Sequence, residues 1–240
     1  MSDITEGTLL GGKLRYRQFV TGHRSGFEPV LLAASVPARS GELVLEAGTG
    51  AGAALLCLAQ RVPGIGGVGV EIAAGLAALA NENFKINGLD RLSCITADAA
   101  APPFGQAFHH VMANPPWFDP HATPSPDAKR ALAHHRMPGL LASWIGNLSK
   151  CLRAGGTMTL ILPAASLSEA AACLRAAKCG GITLLPLWPR AGQVAKQVII
   201  SGKKAGHGAD RLLPGLVLHD AAGITAAANA ILRDGRALMG

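Results

Sequence analysis

Asn114-Pro115-Pro116-Trp117 brings together residue types that can grip one amino group. The asparagine side-chain oxygen and the carbonyl of Pro115 can both accept from the same nitrogen. Trp117 offers a flat face on which a base can stack, worth roughly 1–3 kcal/mol. The two prolines lack amide donors and are rigid, so they close the apolar stretch Phe108 to Ala113 as a fixed wall. Loop punctuation is the competing reading of a double proline. Its place at the end of a fourth strand, after a glycine-rich turn and two carboxylates, argues for a site.

That turn is Val44-Leu45-Glu46-Ala47-Gly48-Thr49-Gly50-Ala51-Gly52. Glycines here let the backbone bend sharply and let a ligand approach without Cβ atoms in the way. The amides at the start of the next helix then face that ligand. With Ala53 in the third small position, the fragment also fits a nicotinamide dinucleotide site, so alone it does not choose a cofactor. Glu71 closes the next strand, and its carboxylate can accept both hydroxyls of a ribose; capping the following helix is the alternative. Asp98 closes the third strand. Its side chain, or the backbone of Ala97 or Ala99, can accept from an adenine amino group; a simple turn residue is the alternative.

The elements that position these residues alternate between strand-like and helix-like patterns, which predicts an α/β layered sheet. Strands are expected at Leu43–Ala47, Gly67–Glu71, Leu92–Ala97, Phe108–Ala113 and Gly156–Leu162, with a final pair at Ile182–Leu187 and Gln193–Ser201 and a short one at Leu216–His219. Helices are expected at Phe27–Val36, Ala53–Arg61, Ala73–Asn87, Met137–Leu152, Ser166–Lys178 and Ile224–Arg233. Ser166 with Glu169 three residues on fits a capping box. Two loops read as mobile surfaces: His121 to Ala128, broken by prolines, and Lys203 to Ala209.

The chain has 240 residues, 49% of them hydrophobic, which suits a single α/β domain with small additions. We expect residues 1–40 to form an N-terminal lid segment and helix, packed on a domain over 41–240. No apolar run reaches the roughly 18–20 residues that span a bilayer, and the opening is polar, so a cytoplasmic protein is expected. Cys57, Cys94, Cys151, Cys173 and Cys179 are scattered without a Cys-x-x-Cys pair, which argues against disulfides and zinc. The formal charge of +7 suits a polyanionic partner, though a solvated basic surface would give the same figure.

The glycine-rich turn, Glu71, Asp98 and Asn114-Pro115-Pro116-Trp117 together resemble the class I amino-methyltransferases, over about Leu43 to Leu162. The resemblance implies a Rossmann-like seven-stranded sheet with helices on both faces and its last strand antiparallel. It also implies S-adenosylmethionine as cofactor. An exocyclic amine conjugated to a ring is a poor nucleophile; two acceptors on one side favour a tetrahedral nitrogen and stabilise its developing positive charge. Alignment of nitrogen, methyl and sulfur does the rest, without an obligatory base.

Leu10-Gly11-Gly12-Lys13-Leu14-Arg15 and the run Gly22 to Ala34, with Trp188 to Gly192 and Leu216 to His219, are similar to bacterial tRNA adenine-N6 methyltransferases acting beside the anticodon of a valine tRNA. Glu28 stands where that family usually has Asp, and Trp117 where Tyr is commoner. The resemblance implies a catalytic set of Asn114, Pro115, Pro116 and Trp117. The cofactor set is Arg24, Gly26, Glu46, Gly48, Gly50, Gly52, Glu71, Asp98, Ala99 and Asn114, with Arg24 to Pro29 as a lid. Lys129, Arg130, Arg136, Arg190, Lys196, Lys203 and Lys204 are assigned to tRNA, against a solvated basic edge as the alternative. His134 and His135 are neighbours that point apart on a helix, and no metal is expected. A monomer or weak homodimer is expected. The rival functions are N-methylation of ribosomal RNA at adenine N6 or guanine N2, a nicotinamide-dependent oxidoreductase, and an inactive RNA-binding module.

Overall fold

The computed structural model describes residues 3–20, 26–115 and 139–238. The chain opens with an antiparallel hairpin, β1 (Ile4–Leu9) and β2 (Leu14–Phe19), and a helix, α1 (Glu28–Ser35). Pro29 suits the first turn of α1, and Pro37 follows its extended C-cap Val36. Then come β3 (Leu43–Ala47), α2 (Ala53–Arg61), β4 (Gly66–Glu71), α3 (Ala74–Ile86), β5 (Leu92–Thr96) and β6 (Phe108–Ala113). The second half holds α4 (Leu140–Cys151), β7 (Leu152–Pro163), α5 (Leu167–Ala176), β8 (Cys179–Arg190) and β9 (Gln197–Lys204). Short strands β10 (Arg211–Leu212), β11 (Leu216–Asp220) and β12 (Gly223–Ile224) precede α6 (Ala226–Leu232).

One sheet carries the order β12-β11-β8-β9-β7-β6-β3-β4-β5, with β10 also on β8. Strands β3 to β7 run parallel; β9 is antiparallel to both β7 and β8, so β8 again runs with β7. Seven strands, β3 to β9, thus form the Rossmann-like sheet with one antiparallel member. The sheet is larger than expected, because β10, β11 and β12 widen it to ten strands. β3 and β4 are almost wholly buried, as strands covered on both faces must be. One core joins α1, α2, α3, α6 and the hairpin to one face; the other sets α4 and α5 on the opposite face.

The hairpin is held by two asparagines, Asn83 of α3 and Asn87, its C-cap. Asn83 Nδ2 donates to the Arg17 carbonyl and to the Ala51 carbonyl of the glycine-rich turn, while its Oδ1 accepts from Arg17 N. Asn87 makes the same two-way pairing with Arg15. The expected capping box at Ser166 does not form. A 3-10 turn over Ala164–Ser166 precedes α5, and Ser166 has φ −88° and ψ 1°, not the extended backbone a cap requires, with no side-chain cap bond. Thr225 caps α6 instead, its Oγ1 accepting from Ala228 N at 3.1 Å. Of the loop expected at Lys203 to Ala209, Lys203 and Lys204 belong to β9. All five cysteines are free thiols. No helix among the described residues is long and apolar enough to cross a membrane, and none of their His, Cys, Asp and Glu side chains cluster in threes to hold a metal.

Candidate active site

The order of the sheet leaves a crevice between β3 and β6, whose following helices lie on opposite faces. Ligands of open α/β sheets sit outside the carboxyl ends of the strands at such a switch point. Ala113 pairs with Ala47, so Asn114 and Gly48 leave the sheet side by side at this crevice. Pro115 is buried and Asn114 half-buried. Glu71 ends β4, opposite Thr96 of β5, and Asp98 lies two residues further on. The topology therefore gathers Asn114, Pro115, the glycine-rich turn, Glu71 and Asp98 along one edge.

The turn is built by hydrogen bonds to the end of β4. Gly48 N and Thr49 N both donate to the Val70 carbonyl, at 2.9 and 3.1 Å. Gly48, Gly50 and Gly52 all have positive φ, at 70°, 56° and 90°. They serve different purposes. A Cβ on Gly52 would lie 2.7 Å from the Phe84 ring, and one on Gly48 would lie 3.2 Å from the Trp144 ring. A Cβ on Gly50 would meet nothing, so open space lies there for a ligand. Trp144, a buried residue of α4 that the sequence did not point to, is thus the floor behind the turn.

Two buried carboxylates face this turn. Glu71 accepts from Gly50 N and from Ala73 N, one bond per oxygen at 2.9 Å. Ala73 is the N-cap of α3, so the capping role holds too. An ionised carboxylate has about four acceptor positions, so two stay open for ribose hydroxyls. Glu46 accepts from Leu55 N in the first turn of α2. Burial pushes its carboxyl well above the usual carboxylate range; the Leu55 amide opposes this and the charge of Glu71 adds to it. Neither carboxylate makes a salt bridge among the described residues. Asp98 is exposed, and its Oδ1 accepts from Ala100 N at 2.8 Å, the bond of an ordinary turn; Ala99 is buried. Ile72, 72% exposed directly after Glu71, adds an apolar face at the same edge. An isolated isoleucine after a strand carries no pattern that sequence reading could seize.

This donor and acceptor set fits S-adenosylmethionine. Glu71, with acceptor positions left open and no salt bridge among the described residues, suits a ligand that brings hydroxyl and ammonium donors. Glu71 suits the ribose, Ile72 the adenine ring, and the space at Gly50 the close approach of the chain.

The expected nucleic-acid contacts divide between two edges. Arg190 ends β8 and Lys196 immediately precedes β9, so both lie at the same edge as Asn114 and Glu71, and both are exposed. β9 runs the other way, so Lys203 and Lys204 lie at the opposite edge, beside Thr157 and Cys179. The register from Thr157 to Pro163 puts roughly 20 Å between them along the strands. Lys204 is occupied within the fold, donating to the Ala177 carbonyl at 2.9 Å. Asp210, the one acid between Leu187 and Arg211, is paired with Arg175. Gly26 is exposed just before α1. Arg24, Pro116, Trp117, Lys129, Arg130, Arg136, His134 and His135 lie outside the described residues.

Comparison with known proteins agrees with this geometry. The family described as "Methyltransferase domain" matches residues 44–138. A tRNA1(Val) (adenine(37)-N6)-methyltransferase of Bacteroides thetaiotaomicron is 28% identical over 156 residues, 62% of this chain and 65% of that protein. The match thus spans just under two thirds of that relative's length. The enzyme of the same name from Actinobacillus succinogenes is 29% identical over 212 residues, 81% of this chain and 84% of its own. That from Pasteurella multocida is 32% identical over 161 residues, 62% and 66% of the two chains. Among solved structures, a predicted O-methyltransferase from Agrobacterium tumefaciens superposes with a TM-score of 0.73 at 22% identity, over 88% of this chain and 98% of that one. A geranyl diphosphate methyltransferase in complex with S-adenosylmethionine gives 0.54 at 16% identity, over 72% and 82%. At such identities these two structures speak to the fold.

Proposed function

We propose that this chain is a class I S-adenosylmethionine-dependent methyltransferase and that it methylates the exocyclic N6 amine of an adenine in tRNA, beside the anticodon of a valine tRNA. One observation carries the chemistry. Asn114 and Pro115 leave β6 beside the glycine-rich turn, in register with Ala47-Gly48. Bound S-adenosylmethionine supplies the methyl group. Asn114 Oδ1 and the Pro115 carbonyl accept the N–H bonds of the target amine, pulling its nitrogen out of conjugation and meeting the positive charge that grows there. Buried Pro115 keeps the second acceptor fixed. Glu71 and the glycine-rich turn hold the cofactor so that nitrogen, methyl and sulfur line up. A stacked adenine cannot present its amine to Asn114, so the base is flipped or splayed out. The substrate and position rest on the names of the relatives and on the N-terminal and C-terminal motifs.

The test is methyl transfer from labelled S-adenosylmethionine to total tRNA from cells lacking the protein, followed by nucleoside mass spectrometry. N6-methyladenosine is expected with the wild type. Asn114→Ala is expected to lower the rate about 100- to 1000-fold, the usual cost of losing one acceptor or donor at a developing charge. Label in ribosomal RNA or protein instead of tRNA would refute the tRNA assignment.

A further inference from the structure

The strands at one end of the sheet do not stop at the level of Asn114. Asn114 follows Ala113, which pairs with Leu160, so it lies level with Ile161, Ile199 and Leu185. β8 continues five residues further, to Arg190, and β11 accompanies it, pairing His219 with Arg190. At about 3.3 Å per residue, this pair stands roughly 15 Å beyond the catalytic edge. It lies three to four strands to the side of Asn114, or roughly 15–20 Å at the usual strand spacing. The ledge is braced. Trp188 Nε1 donates to the Pro214 carbonyl at 3.1 Å, and Arg190 Nη1 donates to the Asp220 carbonyl at 2.7 Å.

What the ledge displays is unusual for a part so well braced. Val194, in the turn between β8 and β9, is 81% exposed. Arg190 and Lys196 flank it and are also exposed. Next to them Phe27, 40% exposed at the start of α1, meets the His219 ring at 6.3 Å between centroids. The base of the turn is tied to the same helix, since Gln197 Nε2 donates to Glu28 Oε1 at 3.1 Å. The local acids are engaged by the fold: Glu28 accepts from Gln197, and Asp220 Oδ1 accepts from Ala222 N. Flat rings, an apolar tip and two exposed cations with no salt bridge among the described residues, on one rigid surface, are the parts of a single-stranded nucleic-acid platform.

We propose that Phe27, His219, Val194, Arg190 and Lys196 form a platform for the unpaired nucleotides that flank the methylated adenine. Phe27 and His219 stack a neighbouring base, Val194 packs against a splayed base or sugar, and Arg190 and Lys196 take the phosphates. The proposal rests on the RNA-methyltransferase reading and adds where the rest of the loop lies. It orients the substrate so that only one adenine reaches Asn114.

The experiment measures KM and kcat for tRNA, and the Kd for S-adenosylmethionine by calorimetry, on full-length protein. Phe27→Ala, His219→Ala and Val194→Glu are each expected to raise KM for tRNA about five- to thirtyfold, the lower part of what losing one stacked base costs. Cofactor Kd stays unchanged, and His219→Phe, which keeps a flat ring, stays within about twofold of wild type in KM. Val194→Glu lies at an exposed tip, so it reports even where a ring substitution harms folding. An active wild type whose KM is indifferent to Val194→Glu and His219→Ala overturns the platform while leaving the function intact. A change in cofactor Kd instead of KM also overturns it. A wild type that methylates no RNA overturns the function, and the platform falls with it.

Discussion

Three glycines of one turn share a left-handed backbone yet differ in what they protect. Gly52 has φ 90° and the Phe84 ring where a Cβ would go. Gly52→Ala therefore combines backbone strain with overpacking, and a loss of roughly 2–4 kcal/mol in urea denaturation is expected. Gly50 has open space around it. Gly50→Ala is expected to cost only about 1–2 kcal/mol of stability but to weaken S-adenosylmethionine binding. Equal effects of the two on stability would refute the distinction. Glu46 offers a second test. Burial raises its carboxyl well above the ordinary range. An acid with a raised folded-state pKa contributes stability fully below pH 4.5, its ordinary value, and loses it as pH rises through the raised value. Glu46→Gln keeps an acceptor for Leu55 N and removes this loss. The variant should be more stable than the wild type at pH 8, with the gap closing toward pH 4. A variant equally destabilised at both pH values would count against it. The sequence marks Glu46, Gly48, Glu71 and Asn114 because each sits at a strand end in a recognisable spacing. It does not mark Trp144 or Ile72, whose contacts arise only when distant elements pack.

At the scale of elements, the parallel strands were legible because burial on both faces requires short apolar runs bounded by glycines and prolines. β3 and β6 have the bounds read from the sequence. The hairpin of β1 and β2 was not. Only Leu14 and Tyr16 of its twelve residues are buried, so the pattern reads as a polar stretch. Its position is fixed from outside, by Asn83 and Asn87 on a helix far along the chain. Asn83 is fully buried and serves both the hairpin and the turn through Ala51. Asn83→Ala strands several backbone groups, and a loss of roughly 2–3 kcal/mol is expected. Hydrogen exchange should then rise through residues 14–19, the β2 strand. Unchanged protection there would show that Asn83 is not what docks the hairpin. Ser166 failed as a cap for a local reason: it is itself the last residue of a 3-10 turn, which sets its backbone.

Across the whole molecule, charge of the same sign has two addresses. A list of Arg190, Lys196, Lys203 and Lys204 looks like one basic set, and only the reversal of β9 separates it. Residues seven positions apart in one strand and its approach end at opposite edges of the sheet. The salt dependence of tRNA binding tests this. Removing one phosphate contact to a single strand lowers the slope of log K against log salt by about 0.7. Lys196→Ala is expected to do so, and Lys203→Ala is expected to leave the slope as it is. The opposite result would place the RNA on the far edge.

The braced turn between β8 and β9 stands beyond the level of Asn114, while its strands are anchored in the core by Val198, Ile199 and Ile200. Such a part is exchangeable. Exchange of its six residues, 191–196, for those of a relative is expected to leave the crevice at Asn114 undisturbed. On the proposed function, the surface that selects the RNA and the crevice that does the chemistry are separate inheritances.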